Sequence, residues 1–192
     1  MIASIRGTLQ SIGVDHVVVN VGGIGIQVYV PYSTLNSLGD LGSEVNLRTF
    51  LVVRDDAISL FGFRTLEERR LFELLVGVNG VGPRLALSVL SIMSAEETAS
   101  SIVTGNIDAL VSVPGIGRRT AGRIVLELQN RMEKEWGMTI IAAQQSHGEL
   151  AVALGALGYS TSEIQSAIAR LGDVSNLTLE DQVRNALQSL GS

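Results

Sequence analysis

Apolar and polar residues alternate with a period of two through the first third of the chain. The stretches VVVNV (17–21) and GIQVYV (25–30) show it most clearly, and both are rich in β-branched residues. Such side chains suit a pleated surface buried on one side. Strands are therefore predicted over 2–12, 16–21, 24–30, 45–53 and 57–62. Gly13, Val14 and Asp15, and then Gly22 and Gly23, supply turn chemistry between the first three. The stretch PYSTLNSLGDLGS after the third strand has room for a short helical turn. Five short strands with a helical insertion after the third predict a small closed barrel of OB type over 1–63. A small sandwich has the same pattern and stands as its rival.

From residue 64 the period lengthens to that of a helix. Leu71, Leu74, Leu75 and Val78 fall on one face. Thr65 to Glu68 and Ser94 to Glu97 each read as a capping box, in which a hydroxyl and a carboxylate satisfy the free amides at a helix start. The helical region is placed at 64–135. Residues 136–147, with their Gln-Gln-Ser-His stretch, read as a flexible linker. Three short helices follow over 148–192, with starts at Ser160 to Glu163 and Thr178 to Asp181. The expected fold class is α+β and multidomain: a barrel, a helical middle domain and a small C-terminal helical bundle. The pair Gly23 and Gly25 does not make a dinucleotide loop, because no helix follows and the third glycine of that pattern is absent.

The helical middle contains an internal repeat with a period of 35 residues. VGVNGVGPRLA (76–86) aligns with VSVPGIGRRTA (111–121), with six of eleven positions identical. Phe72 and Leu75 upstream match Ile107 and Leu110. Each copy reads as a helix, a tight glycine-hydrophobic-glycine hairpin and a second helix. Glycine permits positive φ and lets an outside group approach the backbone. The hairpin then delivers free amides at a helix start, where the dipole is positive and an anion is favoured. Pro83 fits the first helical turn, where its missing N–H costs nothing. The candidate phosphate-binding residues are Asn79, Gly80, Gly82 and Arg84 in the first copy, and Gly115, Gly117, Arg118, Arg119 and Arg123 in the second. A single such hairpin is often only a tight turn. Two matched copies, each followed by arginine, point to helix-hairpin-helix binding of DNA phosphates without base reading.

Composition narrows the chemistry. The chain has 192 residues, 46% of them hydrophobic, and a net charge of −5. The charge is uneven: residues 1–63 carry 3 basic and 5 acidic groups, 64–135 carry 9 of each, and 136–192 carry 2 and 5. Screening limits distant charges to about 8–10 Å, so a local basic site still holds phosphate. Aromatic residues are only 4% of the chain, which argues against base stacking as the main mode of contact. Lys134 is the only lysine and lies outside any GxxxxGK[ST] pattern, so the ATPase P-loop is absent. There is no cysteine, which removes disulfides and thiolate metal sites and suits a reducing compartment. His16 and His147 lack metal-ligand spacing; the first reads as a strand-edge residue, the second as solvated. No catalytic residue, metal or cofactor is expected. No secretory leader or membrane-spanning run is visible, so a cytoplasmic location is expected.

The order of these parts resembles the bacterial RuvA family of Holliday-junction branch-migration proteins. The residues that carry the resemblance are Met1 and Ile2 through Arg6 and Gly7, VGGIG (21–25), VVRDDAISLFGF (52–63), NGVGPRLAL (79–87) and VPGIGRRTAGRIVLEL (113–128). The C-terminal third matches more weakly, through LGALGY (154–159) and a three-helix rhythm similar to a ubiquitin-associated bundle. The resemblance implies a homotetramer that binds four-way junction DNA and holds it open and flat, as one tetramer or two per junction. It implies a barrel that forms the tetramer and junction centre, and a C-terminal bundle that binds the RuvB hexameric ATPase, for which Leu157, Tyr159 and Leu171 are candidates. It also implies that the RuvC resolvase cuts the same junction, and that this chain is a non-catalytic accessory subunit. Asp55 and Asp56 match the family's acidic pin, with aspartate where relatives carry glutamate at the first position. Read without the resemblance, two aspartates between strands are usually a simple turn. A nuclease subunit, or a protein adaptor whose glycine turns are only structural, are the readings from other classes.

Overall fold

Val17 and Val19 are fully buried while Val18 between them is not, and Val45, Leu47 and Thr49 repeat that alternation further along. Period-two burial of this kind curls a sheet around one inward face. The computed structural model describes residues 2–55, 57–171 and 178–190. Five strands form a closed barrel: β1 (Ser4–Ile12), β2 (His16–Val21), β3 (Ile24–Tyr29), β4 (Glu44–Val53) and β5 (Ile58–Phe63), in the order β1-β2-β3-β5-β4. β1 pairs antiparallel with both β2 and β4, and a parallel contact of Tyr29 with Phe61 joins β3 to β5. The closed barrel excludes the sandwich. A register shift between Leu9 and Ser11 bends β1. Gly7 permits the close approach of β2, since a Cβ there would lie 2.2 Å from the Asn20 carbonyl oxygen. Ile5, Leu9, Val17, Val19, Val28, Val45 and Leu47 fill the interior.

The insertion after β3 forms a single short helix, α1 (Tyr32–Ser37). Four helices follow the barrel: α2 (Leu66–Gly77), α3 (Pro83–Ile92), α4 (Ala95–Val103) and α5 (Ile107–Val111). Both expected capping boxes are formed, by Thr65 with Glu68 and by Ser94 with Glu97. Phe72 of α2 packs on three barrel rings, with centroids 5.6 Å from Phe50, 5.0 Å from Phe61 and 4.9 Å from Phe63. Tyr32 N–H donates to Ser91 Oγ at 3.1 Å, joining α1 to α3. Barrel and helices thus belong to one compact unit, residues 1–132.

The long helix α6 (Arg118–Ala156) departs from expectation. Residues 136–147, expected as a flexible linker, have helical backbone within it. The end of the stretch, Gln144 to His147, is polar, but the stretch holds no proline, and its alanines and glutamines are good helix formers. Polarity reports solvent contact, not loss of helix, and Gly137 alone does not stop the chain. His147 lies where no side chain is described.

A second compact unit covers 133–192. Leu150 and Leu154 of α6, Ala167 of α7 (Thr161–Leu171) and Ala186 of α8 (Leu179–Leu190) form its buried core. Ser160 N–H donates to Glu163 Oε2 at 2.8 Å, and Asp181 N–H donates to Thr178 Oγ1 at 3.2 Å, so both expected helix starts are capped. Among the described residues, no helix is long and apolar enough to cross a membrane.

Candidate nucleic-acid interface

Each hairpin of the repeat is a type II β-turn followed directly by a helix. Val81 N–H donates to the Val78 carbonyl at 3.0 Å, and Ile116 N–H to the Val113 carbonyl at 3.0 Å. The third turn position needs positive φ, and Gly80 at 90° and Gly115 at 91° supply it. Pro114 in the second turn fits the position before it. The middle hydrophobic residues, Val81 and Ile116, are each 4% exposed and pin the turns to the helical core.

The second glycine of each hairpin has a different task. Gly82 has φ −83° and is the cap residue of α3. Gly117 is likewise outside the positive-φ set, which corrects the expectation that all four glycines use their backbone freedom. A Cβ on either would meet nothing within 4 Å, and both are exposed. Their importance is open access to the backbone behind them. α2, α4 and α5 begin on Thr65, Ser94 and Asn106, whose side chains accept first-turn amides. Glycine has no side chain to do so at the start of α3 or α6. α3 starts with no side-chain cap on its first-turn amides, and Gly117 ahead of α6 has no side chain to supply one; uncapped helix starts of this kind suit an anion.

The two hairpins pack reciprocally. Arg123 of α6 donates through Nη1 to the Asn79 carbonyl of the first hairpin at 2.8 Å. Leu85 of α3 lies against the second, its Cδ1 3.1 Å from where a Cβ on Gly115 would be. The second helix of each motif thus covers the turn of the other, which sets the two turns side by side in one rigid unit.

The arginines divide by role. Arg119 is exposed beside the second hairpin. Arg118 is exposed too, but Asp108 accepts from its Nη2 at 2.8 Å. The acid nearest before it in sequence is thus also its partner in space. Arg123 is half-buried and acts as the strut between hairpins. Arg84 reaches back to the barrel: it donates to the Asp15 carboxylate, and its guanidinium carbon lies 4.2 Å from the Tyr29 ring centroid. Asp15 also pairs with His16 Nδ1 at 2.9 Å. That hydrogen bond first, and then Arg84, hold the Asp15 carboxyl below the ordinary carboxylate range, while partial desolvation pulls the other way. His16 sits 6.0 Å edge-on from Tyr29. Sequence reading missed Asp15 and Tyr29. The only available signal was an acid in a turn and an aromatic at a strand end, both commonplace.

The β4–β5 turn is short. Arg54 N–H donates to the Ala57 carbonyl at 2.9 Å, and Asp55 at the tip is exposed. Asp56 lies outside the described residues. Val53 and Ile58, the last cross-strand pair, are 66% and 75% exposed at the base of the turn. In the C-terminal unit, Leu157 is 58% exposed, whereas Tyr159 and Leu171 pack half-buried against the bundle's own core. Of the three residues expected to meet a partner, Leu157 alone is largely free of that core. Among the described residues, no group of three His, Cys, Asp or Glu could hold a metal ion.

Comparison with known proteins finds matches along most of the chain. The family model for the RuvA N terminal domain matches residues 1–62, that for the SAM-like helix-hairpin-helix tandem matches 72–130, and that for the RuvA C-terminal domain matches 146–191. The protein named Holliday junction branch migration complex subunit RuvA from Chloroflexus aurantiacus is 48% identical over 194 residues, covering 100% of both chains. The chain belongs to the RuvA family. A second RuvA of the same name, from Dehalococcoides mccartyi, is 44% identical over 188 residues and covers 97% of each chain. A third RuvA, from Thermoanaerobacter pseudethanolicus, is 44% identical over 190 residues, with 99% of each covered. The family's helix-hairpin-helix match spans both glycine turns described above.

Proposed function

We propose that this chain binds four-way junction DNA through its sugar–phosphate backbone and serves as the non-catalytic subunit of a branch-migration complex. The observation that carries the reading is the pair of reciprocally packed glycine turns, each opening a helix with no side-chain cap and flanked by arginine. Two fixed amide clusters engage two phosphates of one duplex arm, and charge-assisted bonds from Arg118 and Arg119 add to the grip. Neither cluster reads a base edge, so binding is independent of sequence.

Family membership and local geometry support a reading of the rest of the chain as well. Residues 1–63 form the junction centre of a homotetramer, and 64–135 grip the arms. Residues 148–192 bind the RuvB ATPase, with Leu157 as the exposed contact. The tetramer holds the junction open and flat, singly or as a pair, and presents it to the motor and to the RuvC resolvase. Four copies of Asp55 and Asp56 gathered at the centre repel phosphate and favour parted strands. At about 4 Å and an effective dielectric of about 20, a pair of like charges costs roughly 4 kcal/mol before salt screening. The work of the protein is cytoplasmic.

The deciding experiment is gel retardation of four-way against linear duplex DNA, with sedimentation to count subunits. Preferential retardation of the junction by a tetramer is expected. No retardation at low salt would leave only the adaptor reading, and cleavage of the junction with Mg²⁺ by this chain alone would favour the nuclease.

A further inference from the structure

We infer that Asp15 is an internal stand-in for phosphate, holding Arg84 until DNA displaces it, and that Tyr29 is the platform that keeps Arg84 in place during the exchange. The inference rests on the junction-binding reading above.

Arg84 is the first residue after Pro83 in α3 and follows the open glycine, Gly82, by two positions. Its backbone therefore belongs to the first turn proposed to receive a phosphate, within reach of its own long side chain. In the structure, however, it is already paired with an anion. The Asp15 carboxylate takes its Nη1, and this carboxylate comes from the β1–β2 turn, 69 residues earlier in the chain. A carboxylate and a phosphate compete for the same fork of donors, because both offer planar or near-planar oxygen pairs to a guanidinium. The second anion cannot approach a guanidinium already neutralised without also meeting the charge of the first.

The pair is built for exchange. The side chains of Arg84 and Asp15 are 63% and 45% exposed, so neither needs to be freed from a dry interior. A cleft of about 150 Å³ lined by Val14, Asp15, Tyr32, Arg84, Ser88 and others opens beside them. Exposed ion pairs hold weakly, so a phosphate already bound by backbone amides displaces such a partner. Asp15 has a second partner, His16, at 2.9 Å, and remains hydrogen-bonded after letting go. Tyr29 is half-buried and packs on Phe61, with ring centroids 5.6 Å apart, so it stays fixed while the anions trade places. Its ring face attracts the guanidinium with either anion bound.

The latch makes the free protein's grip weaker than its arginines alone would give, and it makes release from DNA easier. For a protein that must let duplex slide past, a grip with a built-in competitor suits the task.

The test is titration of the full-length protein with four-way junction DNA across a salt series, for wild type, Asp15→Asn, Arg84→Gln, the double variant, Tyr29→Phe and Tyr29→Leu. Asp15→Asn is expected to bind about threefold more tightly per subunit. Its plot of log affinity against log salt is expected to be steeper by about one unit, since Arg84 then meets phosphate without a freed carboxylate beside it. In the Arg84→Gln background the same change is expected to have no effect. Tyr29→Phe is expected to behave as wild type, and Tyr29→Leu to bind more weakly with unchanged far-UV circular dichroism. Weaker or unchanged binding by Asp15→Asn, or an equal gain with and without Arg84, overturns the latch. Failure of the wild type to retard the junction overturns the junction reading instead, so the two failures are separable.

Discussion

Gly80 and Gly115 hold φ near 90° inside their turns, whereas Gly82 and Gly117 hold ordinary dihedrals and leave open space in front of them. This division makes the four positions experimentally distinct. Gly82→Leu and Gly117→Leu should leave the melting temperature close to wild type, because no neighbour is struck. They should weaken junction binding by at least about tenfold, since the side chain covers the helix-start amides proposed to hold phosphate. Retained affinity with an intact fold would falsify the phosphate cradle. Gly80→Ala or Gly115→Ala should instead cost about 1–2 kcal/mol of stability in a denaturant titration, because a Cβ opposes positive φ. The Asp15 carboxyl also has a signature in acid. Its folded value lies below the ordinary range, so its contribution to stability is complete above that range and is lost as pH falls through the lowered folded value. The melting-temperature gap between wild type and Asp15→Asn should therefore be largest near neutral pH and close as acid carries the solution past the lowered folded value. The glycine turns, and the arginines beside them, were legible from the repeat. The partners of those arginines were not. Arg84 meets a carboxylate 69 residues away, and Arg118 one 10 residues away, across packing that no local pattern encodes.

At the scale of elements, the strands and capped helices follow their sequence signals closely, because each depends on short-range physics. Period-two burial makes the strands, and hydroxyl–carboxylate pairs make the helix starts. The segment 136–147 was misleading because helix and linker differ there in backbone propensity and not in polarity. The β4–β5 turn is where an element-level prediction belongs. Its backbone closes through Arg54 and Ala57, independently of the acidic side chains. Asp55→Asn with Asp56→Asn should therefore preserve the barrel and DNA binding. It should reduce the preference for four-way over linear DNA, measured by competition in a gel-shift assay, or slow branch migration driven by added RuvB. Equal preference and equal rate in the double variant would reduce the loop to a turn.

At the scale of the molecule, a net charge of −5 is compatible with the proposed anion-binding face because the acids and bases are distributed unevenly. Affinity for the junction should fall steeply with added salt, by roughly 0.9 log units per log unit of salt for each phosphate neutralised. A flat salt response in a fluorescence titration would contradict a backbone grip. The whole-molecule order of barrel, paired hairpins and bundle was readable because each part has its own periodicity. Barrel against sandwich was settled only by the closure of β3 onto β5, a long-range contact.

Because Arg123 fastens the first hairpin and Leu85 abuts the second, the two turns cannot slide apart to suit a misfitting ligand. In the proposed grip on DNA they would act as a caliper of fixed gap. Such a device ignores the order of the bases yet measures helical form, so a junction arm rebuilt as an RNA–DNA hybrid, with its altered groove width, should fit the jaws less well than an all-DNA arm.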